Sequence, residues 1–412
     1  VLPSPHRIRR LFLLHVAFAA WCSSATGVLA QPYAYVTEKH SNALTVIDPE
    51  SNTVIANVPI GDSPSEAAVT PDGRFVYAVN AGDKSNSVSV VDTATQTVVT
   101  SIHVGRHPLG VAFTPDGTVA YVTNTGANSV SVIDTASATV TATVPVGLSP
   151  SGVAVSPDGD FVFVTNSISL DQPMQGSFSV IDTATNSEVA RVRVGNNPFA
   201  VAFSPDARTA YIVNSNSLTI QGPGTISVVD TATQQVTGTI RVGRNPLGIA
   251  VSPSGRFAYV TSFSSNTVAV VDTTAGAVVA SVAVGKGPLG IALTPDGRFA
   301  YVANRQSFGA AAPGDVSVID THSNQVVATV PVGENPTAVA IVPPAQGPCP
   351  GDCNGDATVT IDEVQLGINI ARGNTDIGAC AALDTDGDRV VSIHELLAAV
   401  AAVLEGCASM NP

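Results

Sequence analysis

Short runs rich in Val, Thr, Ile and Tyr alternate along most of this chain with clusters of Asn, Asp, Gly and Pro, as in AYVTN, SVSVID, TATVPV and SGVAVS within residues 120–159. Runs of this composition bounded by turn residues predict β-strands. Many are apolar at consecutive positions, which suits sheets covered by other sheets on both faces. The bounding segments carry their own chemistry. In P-D-G, Pro presets φ, Asp bonds locally and Gly accepts a positive φ, and the Gly of the V-G step is expected to supply a second positive-φ corner.

The pattern has a measurable period. An Asp closes a V-[IV]-D triplet at Asp48, Asp92, Asp134, Asp182, Asp230, Asp272 and Asp320. From each Asp to the Pro after V-G is 16 positions, from there to the next Pro 7, and a further 6 reach the Tyr or Phe of the following strand. Only the stretch from that aromatic to the next Asp varies: 13 positions after Tyr35, Tyr121 and Tyr259, 15 after Tyr77, and 19 after Phe163, Tyr211 and Tyr301. Four strands per repeat with one variable loop predict an all-β, seven-bladed β-propeller over residues 31–343. The units resemble the YVTN family of seven-bladed propeller repeats, found in surface-layer-like and other extracytoplasmic proteins.

The array opens on AYVTE, ALTVID and VIANVPIG and ends on TAVAIVP. The last strand is therefore expected to complete the first sheet, closing a ring that has no exposed edge. In that topology the variable loop and the V-G-x-x-P corner share one face. The insertions at 166–177, 214–225 and 304–315 fall there, and loops on a rigid scaffold are where binding concentrates. The candidate ligand face comprises Arg106, His107, Arg244, Lys286 and Glu334 around the channel mouth, with Met174, Phe308 and Leu170 on the insertions. The repeated Asp-Thr and P-D-G residues on the opposite face read as turn chemistry.

Residues 1–30 have the form of a secretory signal peptide: Arg7, Arg9 and Arg10, an apolar stretch at 11–21, and Val28-Leu29-Ala30 before the cleavage point. This predicts a secreted, periplasmic or cell-surface protein with no transmembrane span after cleavage. The whole chain has 412 residues and a formal charge of −14; loss of the three leader Arg leaves 15 basic against 32 acidic residues, or −17. So acidic a protein is not expected to bind nucleic acid, whose affinity comes from Lys and Arg neutralising phosphates. The mature chain also loses Trp21, its one Trp, which lowers the expectation of a sugar-stacking groove.

After residue 343 the composition changes. Residues 344–348 form a Pro-rich linker, and 349–412 a small domain with helical rather than strand periodicity. Two calcium-loop patterns lie there: Asp352, Asn354, Asp356, Thr358, Thr360 and Glu363, then Asp384, Asp386, Asp388, Val390, Ser392 and Glu395. Side-chain oxygens at positions 1, 3 and 5, a backbone carbonyl at 7 and a carboxylate at 12 can surround one hard cation, so calcium is the expected cofactor. The pair resembles EF-hands, and its placement resembles a dockerin. Ala357 and Arg389 stand where Gly usually makes the sharp turn, and Ile361-Asp362 and Ile393-His394 stand where a dockerin presents small hydroxyl residues. That departure argues against a cohesin-like partner. Cys349, Cys353, Cys380 and Cys407 all lie in this domain, an even count that in an exported protein predicts two disulfides. Cys349–Cys407 and Cys353–Cys380 are the favoured pairs of three arrangements.

For function, the sequence favours an exported binding or scaffold module whose propeller face takes a protein or cell-surface partner or a ligand, with the calcium domain serving docking or stability. One alternative is a propeller enzyme at the channel mouth, lactonase-like or a cofactor-dependent oxidoreductase; another is a structural surface-layer-like envelope protein. No residue is assigned a catalytic role. His40, His103, His107, His322 and His394 are scattered without metal-ligand spacing, and Arg106 with His107 is the one arrangement worth testing.

Overall fold

The computed structural model describes residues 33–82, 86–168, 176–216, 222–306, 311–342 and 361–372, with a few single positions between 375 and 400. The expected leader at 1–30, the expected linker, Leu170, Met174, Phe308, Cys349, Cys353, Cys407, His394 and every position of the expected calcium loops except Glu363 and Ser392 lie outside the described residues.

Seven four-stranded antiparallel sheets form the propeller. Blade 1 runs Pro336–Ile341, Ala34–Glu38, Ala43–Asp48, Thr53–Pro59 from channel to rim. The last strand of the array does complete the first sheet. Blades 2 to 7 occupy 64–103, 108–145, 148–193, 198–241, 246–283 and 288–334, each in simple sequence order. Consecutive sheets bury a layer between them. Tyr35 of blade 1 packs with Val76, Ala78 and Val91 of blade 2, and Tyr77 with Val122 and Ile133 of blade 3.

The four letters of the YVTN run have separate jobs. The aromatic and the Val are buried between sheets, as at Tyr121 and Val122. The Thr donates across to the next blade: Thr123 Oγ1 to Ser151 O at 2.7 Å, Thr261 Oγ1 to Leu289 O at 2.7 Å. The Asn turns its amide inward, Asn124 Nδ2 donating to Ser129 and Ser131 Oγ at 3.2 and 2.9 Å.

The corner glycine differs from expectation. The Gly of the V-G step is not at positive φ in any blade; the left-handed residue is the one just before Pro, namely Ser63, His107, Ser149, Asn197, Asn245, Gly287 and Asn335. The Gly is needed for space. A Cβ at Gly105, Gly195 or Gly285 would lie 2.5–2.6 Å from Cγ of Asn124, Asn214 or Asn304, the strand-end Asn of the next blade. The P-D-G glycines at 73, 117, 159 and 297 do take positive φ, between 69° and 80°, as turn chemistry predicts.

Where the seam closes, Glu38 replaces the Asn. Its Oε1 accepts from Gly333 N at 2.6 Å and from Thr45 Oγ1, tying the last blade to the first.

In the C-terminal segment one helix forms among the described residues, α1 (Ile361–Ala371). It packs through Ile370 in a small cluster with Cys380, Leu383, Val391 and Ala399. The EF-hand helix pair expected there is not established by these residues. Cys380 is buried and disulfide-bonded, its partner lying outside the described residues.

A direct check of the corner contact is Gly195→Ala. Overpacking against Asn214 is expected to cost about 1–3 kcal/mol in thermal unfolding. Gly238→Ala, whose Cβ meets Val228 only at 3.7 Å, should be neutral or gain about 0.5 kcal/mol, because an interior strand Gly is entropically costly.

Candidate functional site

Every innermost strand starts at the corner Pro, except in blade 4 where it starts at Leu148, and loses its regular pairing within two or three residues of that Pro. The register shifts between Pro64 and Ala67, Pro108 and Val111, Pro150 and Val153, Pro198 and Ala200, Pro246 and Ile249, and Pro288 and Ile291; in blade 1 the shift falls between Val36 and Glu38, opposite Pro336. A bulge frees backbone groups and re-aims side chains. The freed amide is met by the motif Thr, as in Gly110 N to Thr123 Oγ1 and Gly248 N to Thr261 Oγ1, both 2.8 Å. Of the two residues after each Pro, all but Gly110 line a cavity at the channel mouth.

The second of these is Gly110, Gly152, Ala200, Gly248, Gly290 and Ala338 in six blades, and Glu66 in blade 2. Small residues are required where blades crowd the axis: a Cβ at Gly152 would meet Phe199 O at 2.5 Å. In the blade of Glu66, as in blades 5 and 7 with Val213 and Ala303, the motif Thr is absent. Val79 stands in its place, and Ser65 Oγ takes over the bond to the next blade, donating to Leu109 O at 2.8 Å.

A cavity of about 200 Å³ opens here at the mouth of the channel. One sector is polar, with Arg305 from blade 7, Lys39 and Thr337 from blade 1, and Ser65 and Glu66 from blade 2. Leu109, Phe199, Leu247 and Leu289, from blades 3, 5, 6 and 7, add apolar lining. Lys39 and Arg305 hold the same place in their blades, directly after the strand-end residue, where the others carry Ala81, Thr125, Ser167, Ser215 and Phe263. Their backbones are fixed alike: Lys39 N donates to Asn335 O at 3.1 Å and Arg305 N to Gly287 O at 3.0 Å.

The electrostatics follow from enclosure. Glu66 is half-buried, the surface it keeps lining the cavity. Burial alone pushes its carboxyl up to about 7, since a low-dielectric wall disfavours the charged form. Burial also lowers Lys39, helped by the neighbouring Arg305 and opposed by Asp62. Arg305, 8% exposed, is the one buried cation among the described residues, and burial lowers its pKa too.

The rim residues expected from sequence sit elsewhere. Arg106, His107, Arg244 and Lys286 are exposed and Glu334 is half-buried, and none lines this cavity. Arg106 Nη2 donates to Gly126 O at 2.8 Å, and His107 is the left-handed residue of its corner. Both belong to turn architecture. Of the insertions, the described Gly176, Gly224 and Gly314 lie against the corner residues Pro198, Pro246 and Pro336. Glu66, Lys39 and Arg305 could have been found in the sequence as departures from the repeat at aligned positions. Among the described residues no group of three or more His, Cys, Asp or Glu could hold a metal ion, and no helix is long and apolar enough to cross a membrane.

Two family models match the chain: an SMP-30/gluconolactonase/LRE-like region over residues 15–216, and a seven-bladed β-propeller lactonase over 176–290. No curated protein matches it. Among solved structures it is similar to Kuenenia stuttgartiensis hydrazine synthase, at 24% identity and a TM-score of 0.63 over 73% of this chain and 98% of that one. A functionally unknown protein from Desulfotomaculum acetoxidans matches at 18% identity and 0.61, over 76% and 99%. The dihydro-heme d1 dehydrogenase NirN in complex with DHE matches at 18% and 0.54, over 75% of both chains. At these identities the structural likenesses speak for the propeller fold alone.

The raised Glu66 carboxyl makes a stability prediction. Between its ordinary value of 4.5 and about 7 the unfolded chain has released this proton and the folded chain still holds it, so stability falls as pH rises through that window, by about 3 kcal/mol. Chemical unfolding of Glu66→Gln at pH 4.5 and 7.5 should lack this component.

Proposed function

We propose that the protein hydrolyses a cyclic ester, a lactone, at the mouth of its central channel, with Glu66 as general base. The observation that carries this reading is the single carboxylate set where every other blade has Gly or Ala, enclosed so that it titrates near 7. A base with that pKa is half ionised at neutral pH and matched to proton transfer. Both matching family models carry lactonase in their descriptions. This reading replaces the binding or scaffold module favoured by the sequence.

The chemistry balances without another reactant. Glu66 takes a proton from water as the oxygen attacks the lactone carbonyl. The tetrahedral oxyanion collapses, the ring C–O bond breaks, and the departing alkoxide recovers the proton from Glu66, leaving a hydroxy acid. The apolar wall of Leu109, Phe199, Leu247 and Leu289 would cover the carbon skeleton and limit water.

Titrimetric assay of γ-butyrolactone and δ-gluconolactone over pH 5–9 tests it. Turnover should rise through an ionisation near 7 and fall by about 10²–10⁴-fold in Glu66→Gln. An unchanged rate in a folded Glu66→Gln variant defeats the proposal.

For the C-terminal segment we propose calcium binding. Helix α1 begins at the tenth position of the first loop pattern, and Glu363, its twelfth-position carboxylate, is buried at 7% exposure on that helix. Calorimetric titration of the full chain with calcium should show binding that weakens at least tenfold in Glu363→Gln, because a bidentate ligand is lost.

A further inference from the structure

The first residue after the corner Pro is a hydroxyl residue in blades 1, 2 and 4, Thr337, Ser65 and Ser151, and a large apolar one in blades 3, 5, 6 and 7, Leu109, Phe199, Leu247 and Leu289. The fold therefore does not demand an apolar side chain at this place. The hydroxyls are used by the protein itself. Ser65 Oγ donates to Leu109 O at 2.8 Å, Ser151 Oγ shares a hydrogen bond with Thr165 Oγ1 at 2.9 Å, and Thr337 Oγ1 shares one with Thr37 Oγ1 at 2.8 Å.

The four apolar side chains have no matching use inside the fold. Among the described residues none of them belongs to the layers that fill the space between sheets, whereas the third residue after the Pro does so in all seven blades. What the four do line is the cavity. Large apolar side chains gathered on a concave wall, and left out of the core, gain their hydrophobic stabilisation only when something apolar covers them. Further from the mouth the lining stays apolar, since five of the third residues, Val153, Val201, Ile249, Ile291 and Val339, also reach the cavity.

We propose that this wall and floor take an alkyl chain, and that the substrate is therefore a neutral lactone with a short alkyl substituent, the chain directed along the channel and the ring left at the mouth with Glu66. This rests on the cavity being the substrate site. An apolar cavity of about 150 Å³ holds one benzene. A cavity of about 200 Å³ then suits a five-membered lactone ring with a few methylenes. A polyhydroxy lactone in the same space would set hydroxyls against Leu, Ile and Val, where each one left without a partner costs binding.

The test separates this inference from the reaction. The full-length protein is titrated calorimetrically with butan-1-ol, hexan-1-ol and octan-1-ol, which carry the chain without a reacting group. The wild type is compared with Phe199→Ser and Leu289→Ser, each of which places the residue that blades 2 and 4 already carry, and thermal unfolding confirms that both are folded. Affinity should rise about threefold to fourfold per methylene and, for hexan-1-ol, fall at least fivefold in each variant. Where lactones are turned over, kcat/KM should rise at least tenfold from γ-butyrolactone to γ-octalactone, and the Ser variants should remove most of that rise. Should one variant fail to fold, the other and the wild-type chain-length series carry the test. Absence of alkanol binding, or binding unchanged in a folded Ser variant, overturns the proposal. Turnover that is flat across chain length, or that favours δ-gluconolactone over γ-octalactone, overturns it too and leaves the hydrolase standing. Alkanol binding that tracks Phe199 and Leu289 without any lactone turnover would sustain the alkyl pocket and remove the hydrolase.

Discussion

Seven times around the ring, a glycine at the corner of one blade is pressed onto the strand-end side chain of the next, and the propeller depends on that approach. The contact tolerates no Cβ. It brings the blades close enough for the motif Thr to cross from sheet to sheet, and it sets the crowding that keeps axial positions at Gly or Ala. Ring closure uses the same joint in altered form. At the seam Glu38 stands for Asn and accepts from the Gly333 amide, so a charged acceptor fastens the junction that lacks chain continuity.

Period and strand chemistry made the ring legible in the sequence. Fixed spacings from Asp to Pro to aromatic gave four strands per unit, and the incomplete first and last units gave the shared sheet. The corner Gly was misread for a physical reason. Sequence shows that a position demands Gly but cannot say whether φ or space demands it, and here the positive φ had moved to the residue before Pro. The C-terminal loops were legible as a ligand pattern, while only Glu363, Ser392 and one helix fall among the described residues.

The candidate site was less legible because attention to the corner pointed outward. Arg106, His107, Arg244 and Lys286 are conspicuous as charges, yet the corner turns them to the surface. Glu66 looks like an ordinary acidic residue until the seven inner strands are aligned and the bulge after each Pro is recognised as turning that position towards the axis. In a symmetric ring, function has to be written as departures from the symmetry. Glu66, Lys39 and Arg305 are three such departures, and they fall on three consecutive blades.

Those three blades straddle the seam. Lys39 comes from the beginning of the array, Arg305 from near its end, and Thr337 from the strand that crosses back to close it. A ribosome emitting this chain releases Lys39 and Glu66 long before Arg305, and the inner strand of blade 1, Pro336–Ile341, after all three. A nascent or prematurely ended chain would carry folded sheets without an assembled cavity. The cavity wall is then complete only once both ends of the array have met in one sheet.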